Sequence, residues 1–428
     1  MNVPVPTTVI VGGGFTGLFT ALYLSQQRYA GRIVLINPAD HFVFRPLLYE
    51  LLTGQMNSEQ VWPSFETLLA GSTVKFVQDS AEYVDLADHR VELTSGESYR
   101  YDYLVLAPGT LIDFYHIPGA AENALPFRSG QDALKLQQQL HTCLERASQC
   151  TDSEERRKLL TVAIVGAGDS GVELAATLGD WLAERYTALG GNRKEIRIVL
   201  LHRNREILSE RTTPRLQKTA RVALASRAVP VELLTATVVN KVEPERVEYR
   251  RDAQTVCLPA ATIIWTAGTA IPSVIKNLAI PDENRDPCGR PYITPTQHLI
   301  AYPEVFAGGD CVTLRKPKPA TAQVAYLQAK AIAQNLIAAS AGEGPKAASL
   351  ALRGTLMKLG LREAAAEIYD QYEVKGRLGH TIRQLTYLEL LPVPIHNLKN
   401  TAEWMSDEIF QGAKNTAEPG AAQKSGGA

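Results

Sequence analysis

Apolar residues in this chain come in short unbroken runs, and two of those runs lead into the same glycine spacing. Val9-Ile10-Val11 reads as a buried strand, Gly12-Gly13-Gly14-Phe15-Thr16-Gly17 follows as GxGxxG, Leu18 to Gln27 reads as a helix, and Ile33 to Ile36 is the next apolar strand. The grammar returns about 154 residues later. Thr161-Val162-Ala163-Ile164-Val165 is a buried strand, Gly166-Ala167-Gly168-Asp169-Ser170-Gly171 is again GxGxxG, a long helix runs to about Leu189, and Ile196 to Leu201 is the following strand. Each glycine set has a mechanical reading. Gly12 and Gly166 permit a tight turn, Gly14 and Gly168 let backbone approach a pyrophosphate, and Gly17 and Gly171 let helix and strand pack closely. One such motif alone is weak evidence. Two, each between an apolar strand and a helix, predict two nucleotide sites.

Between the repeats, Ser80 to Tyr103 alternates apolar and polar residues around Asp88 and Gly96, as strands of a small sheet do. Leu104-Val105-Leu106-Ala107-Pro108-Gly109 is a buried strand ending in glycine, and Ile263-Ile264-Trp265-Thr266-Ala267-Gly268 repeats that ending. Glu304 to Asp310 is a further strand ending in Gly-Asp, and residues 321–340 carry helical spacing. Residues 341–346 read as a linker, 347 to about 412 as amphipathic and helical, and the Gly-, Ala-, Lys- and Ser-rich tail from Gly412 as disordered.

Composition narrows the picture. The 428 residues suggest at least two domains, and 45% apolar with 21% charged residues is ordinary for a globular chain. A net charge of −1 argues against nucleic acid as the main partner. No stretch has 18 uninterrupted apolar residues, so no transmembrane helix is expected, and the N-terminus does not read as a secretory signal. Five cysteines, at 143, 150, 257, 288 and 311, show no CxxC spacing, so neither a metal site nor a dithiol centre is expected, and a reducing compartment fits.

Two dinucleotide sites in one chain suggest electron transfer between a flavin and a nicotinamide. The stretches Phe44 to Gly54, Gly166 to Leu174, Trp265 to Gly268, Val305 to Asp310 and Ala322-Gln323 resemble the type II NAD(P)H dehydrogenases, single-subunit NAD(P)H:quinone oxidoreductases. Leu352 to Gly360 and Leu390 to Asn397 resemble most the demethylphylloquinone reductase branch of phototrophs. The resemblance spans roughly 7–340, with weaker support to about 410. It implies an α/β flavoprotein of glutathione-reductase-like architecture, with two Rossmann-type domains and a C-terminal helical region. The expected division is a discontinuous FAD domain at 1–120 and 290–345, an NAD(P)H domain at 121–289, a membrane-associating or interface region at 346–411, and a tail at 412–428.

The same resemblance implies roles. Gly12, Gly14, Gly17, Asn37, Arg45, Val84, Gly109, Asp310 and Ala322 would hold FAD. Gly166, Gly168, Gly171, His202, Arg203, Arg205 and Gly268 would hold the nicotinamide coenzyme. Pro46, Glu173 and Gln323 would adjoin the chemistry. Blander readings stand beside these: Pro46-Leu47-Leu48 as core packing, Asp310 as a turn residue, Val84 as a plain strand valine, and Glu173 as an acid complementing a helix dipole. Three departures from the family pattern are visible. Asn37 stands where an acid is usual, Pro108 stands inside Ala-Thr-Gly, and Leu327, followed by Gln328, stands where a second glutamine is usual. The disulfide-reductase reading fails for want of a cysteine pair before residue 143. Three others remain open: a respiratory-type NADH:plastoquinone or menaquinone dehydrogenase, a sulfide:quinone oxidoreductase using Cys143, Cys150 or Cys311, and a flavin redox sensor.

Coenzyme choice has its own signal. An NADH site ends this strand in Asp or Glu, which would repel a 2′-phosphate. Here the strand ends in His202-Arg203-Asn204-Arg205, so NADPH is expected at least as well as NADH, unless the two arginines merely form a solvated loop. The acceptor expected is a membrane naphthoquinone. From Lys346 to Lys399 there are eight Lys+Arg against five Asp+Glu, with apolar Tyr387 to Ile395. Peripheral attachment at the cytoplasmic side of a thylakoid or plasma membrane is therefore expected, with core capping or a homodimer contact as the alternative.

Overall fold

The first sheet is built around a strand buried on both faces. In the computed structural model, which describes residues 5–209, 212–369 and 371–392, β1 (Thr7–Val11) keeps Thr8, Val9, Ile10 and Val11 buried. Such a run suits a parallel strand with both faces covered, and on one face Val9 and Val11 pack in a cluster with Val84, Val91 and Leu93. The chain continues through α1 (Phe15–Gln26), β2 (Arg32–Asn37), α2 (Leu48–Thr53), β3 (Val74–Gln78) and β4 (Tyr103–Leu106). β1 lies between β2 and β4, all parallel, with Val11 opposite both Ile36 and Leu106. A small antiparallel sheet of Ala81–Asp85, Arg90–Leu93 and Ser98–Arg100 lies where alternation predicted one.

The inner unit repeats this plan. β5 (Thr161–Val165) leads into α3 (Asp169–Ala188), then β6 (Arg197–Leu201), β7 (Val231–Leu234) and β8 (Thr262–Trp265). β5 lies between β6 and β8, again parallel, with Val165 opposite both Leu201 and Trp265. The chain then returns to the first sheet. β9 (Tyr302–Ala307) pairs in parallel with β4, and α4 (Ala322–Ser340) lies along α1, with the Tyr23 and Tyr326 hydroxyls 2.6 Å apart. One sheet thus takes strands from both ends of the fold, and the other takes them from its middle.

The segment 341–353 has neither helix nor strand, yet it is anchored. The Asn335 amide donates to the Lys346 carbonyl and accepts from the Lys346 N–H, at 2.9 and 2.8 Å. The region after it departs from the helical pattern expected for 347–412. β10 (Gly354–Lys358), β11 (Ala364–Ile368) and β12 (Tyr372–Lys375) form an antiparallel sheet, and among the described residues of this region only α5 (Gly376–Glu389) is helical. The alanines of 364–366 favour a helix in isolation. Here they are the fully buried middle strand, with α5 packed against it, and burial overrides propensity. The expected disordered tail, and the segment Val393 to Asn397, lie outside the described residues. Among the described residues no helix is long and apolar enough to cross a membrane.

Candidate active site

Both glycine loops meet their backbone requirements in the same way. Gly12 has φ +101°, and a Cβ there would lie 2.3 Å from the Ala107 carbonyl. Gly166 has φ +109°, and its Cβ would meet Ala267 N at 2.7 Å. A Cβ on Gly17 or Gly171 would lie 1.8 Å from the carbonyl oxygen of Gly12 or Gly166 respectively. Over Gly14 and Gly168 nothing lies within 4 Å. The first and third glycines are therefore fixed by packing, while the second leaves open room at the N-terminus of α1 or α3. That is the space an approaching pyrophosphate needs, with unpaired helix N–H groups facing it.

The residue at the end of the second strand, Asn37 closing β2 or His202 just past β6, then pins each loop. Gly13 N–H donates to Asn37 Oδ1 at 2.8 Å, and Asn37 Nδ2 donates to the Ala39 carbonyl. In the inner unit Ala167 N–H donates to His202 Nδ1 at 3.2 Å, while His202 Nε2 lies 3.0 Å from the Glu206 carbonyl. Those partners assign the neutral Nε2–H tautomer. Burial lowers the His202 pKa, opposed by the Glu206 carbonyl and aided by Arg203. Arg203 and Arg205 are exposed, and the Arg203 guanidinium lies over the Tyr115 ring, 5.6 Å from its centroid. Gly268, at φ +76°, is held by close packing: a Cβ would lie 2.7 Å from the Asp113 carbonyl and from the Tyr115 ring.

A second group of side chains gathers around the ends of β4 and β9. Gly109 has φ +67° with open space above it, and Asp310 follows Gly309, at φ +81°. Arg45 faces solvent, yet protein surrounds it closely enough for desolvation to lower its pKa, with Asp310 opposing that shift. Arg128, which the sequence reading missed, stands by the same pair. Its pKa falls to about 10 through burial and the neighbouring Arg45 charge, and it donates to the Thr110 carbonyl and hydroxyl at 2.9 and 3.0 Å. Its only sequence signal was an arginine just before the Ser129 helix cap. Gln328 accepts from Gly309 N–H at 2.8 Å and so shapes the Gly-Asp turn. Ala322 and Gln323 open α4, partly exposed, while Val84 is a core side chain with only its backbone left to offer. These groups could hold a flavin nucleotide: open glycines for phosphates, a carboxylate for hydroxyl groups, and two guanidiniums for a ring that gains negative charge on reduction. Beside them, Cys311 is fully buried, and burial pushes its thiol up to about 12. So little thiolate forms near neutral pH that it suits no sulfur chemistry.

Glu173 occupies the second turn of α3. Its Oε1 accepts from Lys358 N–H at 2.6 Å, and the Tyr49 side chain lies beside it. Burial pushes its carboxyl up to about 7, against the opposing pull of Arg383, the Lys358 N–H and Tyr49. Behind it lies a cluster the sequence reading did not foresee. Glu50, Lys358 and Arg383 are all fully buried. Glu50 Oε1 takes Lys358 Nζ at 2.8 Å and Arg383 Nη1 at 2.7 Å. Arg383 also donates to the Pro46 carbonyl, tying α5 to the stretch that carries Arg45.

Residues 6–329 match the family model described as pyridine nucleotide-disulphide oxidoreductase. The chain is 32% identical to demethylphylloquinone reductase NdbB of Synechocystis sp., over 96% of this chain and 98% of that protein. It is 31% identical to the alternative NAD(P)H-ubiquinone oxidoreductase C1, chloroplastic/mitochondrial, of Arabidopsis thaliana, over 94% and 80%. In fold it is similar to NDH2 from Plasmodium falciparum in complex with NADH, at TM-score 0.80 and 19% identity, covering 90% of this chain and 94% of that one. The chain belongs to the pyridine nucleotide-disulphide oxidoreductases and, within them, to the type II NAD(P)H:quinone oxidoreductases. It is a flavoprotein enzyme that uses NAD(P)H and a quinone.

Proposed function

We propose that this enzyme uses FAD and NADPH to reduce a membrane naphthoquinone, demethylphylloquinone in the making of phylloquinone. The observation that carries the coenzyme choice is the neutral His202 followed by two exposed arginines, where an NADH site would hold a carboxylate. The quinone choice rests on the likeness to the Synechocystis reductase. Gly12, Gly14, Gly17, Asn37, Gly109 and Asp310 hold FAD in this reading, with Arg45, Val84 and Ala322 as neighbours. Gly166, Gly168, Gly171, His202, Arg203, Arg205 and Gly268 hold NADPH. FAD supplies an acceptor for a hydride and a donor of two electrons.

The protein's part is placement and charge. Arg45 and Arg128 favour the negative charge that reduction adds, in surroundings where a guanidinium is poorly hydrated. Glu173, poised near neutrality, holds or yields a proton at the junction of the two units. Pro46 and Gln323 border the quinone side. Exposed Tyr369, Tyr372, Leu378 and Leu385 on the C-terminal region suit contact with a bilayer, where a phytyl-tailed substrate resides. One experiment tests the whole reading. The purified enzyme is mixed with vesicles carrying a phytyl-tailed naphthoquinone. NADPH bleaches the flavin, the vesicles restore its colour, and the enzyme floats with them. A strong preference for NADH, or recolouring only by short-chain quinones, would overturn the assignment.

A further inference from the structure

Lys358 touches two carboxylates with two different groups. Its main-chain N–H meets Glu173 Oε1 at 2.6 Å, and its ammonium meets Glu50 Oε1 at 2.8 Å. The carboxylates belong to different parts of the fold: Glu50 to α2, which follows β2 in the chain, and Glu173 to the glycine helix of the inner unit. Arg383, from α5, shares the same Glu50 oxygen. We propose that Lys358 and Glu50 are positioning residues for Glu173: Lys358 holds its carboxyl in place, and the Glu50–Lys358–Arg383 cluster fixes the charge beside it.

Three observations support this. First, the cluster is fully buried, so its charges act on one another with little screening. Second, it is unbalanced: two basic groups meet one ionised carboxylate, with burial lowering the Lys358 pKa and the Glu50 and Glu173 carboxyls opposing that shift. Burial works against the Glu50 charge, but Arg383 and Lys358 bring its pKa down to about 2, so it stays ionised. The sum of one excess positive charge opposes the burial that drives Glu173 upward. Third, the other charged or titratable groups against Glu173 are few. Tyr49 comes from α2, Asp169 from its own helix, and Arg383 and Tyr387 from α5. Burial raises both tyrosines and keeps them neutral, and raises Asp169. Lys358 and Glu50 are therefore the adjustable part of the field, besides Arg383.

The proposal rests on the reading of Glu173 as a proton-holding group, and its test is separable from that reading. The holoenzyme is labelled with carboxyl-13C glutamate, and the Glu173 resonance is identified by its loss in Glu173→Gln. Its titration is followed by NMR without turnover. Lys358→Met brings the cluster to neutrality and leaves Glu50 paired with Arg383, so no buried charge is orphaned. The Glu173 midpoint should rise by about one unit or more. Adding Glu50→Gln restores the excess positive charge, because Arg383 then stands alone against a neutral amide that still accepts its hydrogen bond. In this double variant the midpoint should return toward the wild-type value. A purely structural role for Lys358 would not be repaired by removing its partner as well. An unchanged midpoint in Lys358→Met, or a double variant that stays with the single one, overturns the proposal. Should Lys358→Met fail to retain FAD, Lys358→Gln makes the same change of charge with a polar end. Wild-type flavin reduction and quinone turnover in Glu173→Gln would instead sink the use of its proton, and would leave the titration result standing.

Discussion

The N-terminal unit and the inner unit share one loop geometry and differ in the acceptor that pins it. In the first, Asn37 takes the Gly13 N–H; in the second, the neutral ring of His202 takes the Ala167 N–H. Both replace the carboxylate often found at that strand end, and neither brings a negative charge. The residues beyond the acceptor differ more. After Asn37 come Pro38, Ala39 and Asp40; after His202 come Arg203, Asn204 and Arg205. Pinning a loop and choosing a nucleotide are thus separable tasks. The first needs only an oxygen or a bare nitrogen facing an N–H. The second needs a full charge, and only the inner unit presents two cations there.

The largest effect expected comes from breaking one unit at a time. A methyl at Gly17 or Gly171 would stand 1.8 Å from a backbone oxygen, a clash no side-chain movement relieves. Gly17→Ala should yield colourless protein that does not take up FAD. Gly171→Ala should remain yellow and lose bleaching by NADPH by at least about a hundredfold, or about 3 kcal/mol. If either change removed both properties equally, the two loops would not be independent devices.

A smaller effect tests the cations. A charge-assisted hydrogen bond contributes about 1.5–3 kcal/mol, so Arg203→Ala should lower kcat/KM for NADPH about tenfold or more and leave NADH nearly untouched. Arg205→Ala should act in the same direction. Unchanged ratios in both variants would reduce the arginines to a solvated loop.

The smallest effect separates the two acceptors. Asn37 does not titrate, whereas His202 must be neutral to accept. Its folded pKa lies below the ordinary 6.5, so its contribution to stability is complete above about 6.5 and is lost as pH falls through the lowered value. Melting temperature should therefore fall more steeply below pH 6.5 in the wild type than in His202→Asn, by roughly one or two degrees. Parallel curves would show that the ring's protonation does not matter to the loop.

The parts legible from sequence were those written in local spacing. Both glycine loops, the strands beside them and the Gly-Asp after β9 arise from apolar runs meeting small residues. The Glu50–Lys358–Arg383 cluster was not legible, because its members lie 308 and 333 residues apart and a buried lysine carries no local mark. The C-terminal strands were misjudged because Ala364 to Ala366 favour a helix by propensity, and only the packing of α5 over them decides otherwise. Gln328 was visible only as the neighbour of Leu327, and its bond to the Gly309 N–H was not. A register along a helix can be read, but which turn faces a distant glycine cannot.

The return of the chain to its first sheet has a consequence during synthesis. β4, wholly apolar from Leu104 to Leu106, lies between β1 and β9, and β9 is made almost two hundred residues later. Until Tyr302–Ala307 leaves the ribosome, that strand keeps one bare edge of N–H and C=O groups, the kind of edge on which neighbouring nascent chains pair. Asp310 and α4 arrive later still. A growing chain of this protein thus carries both glycine loops early and the Gly-Asp turn late, and throughout the interval between them the edge of β4 stays open.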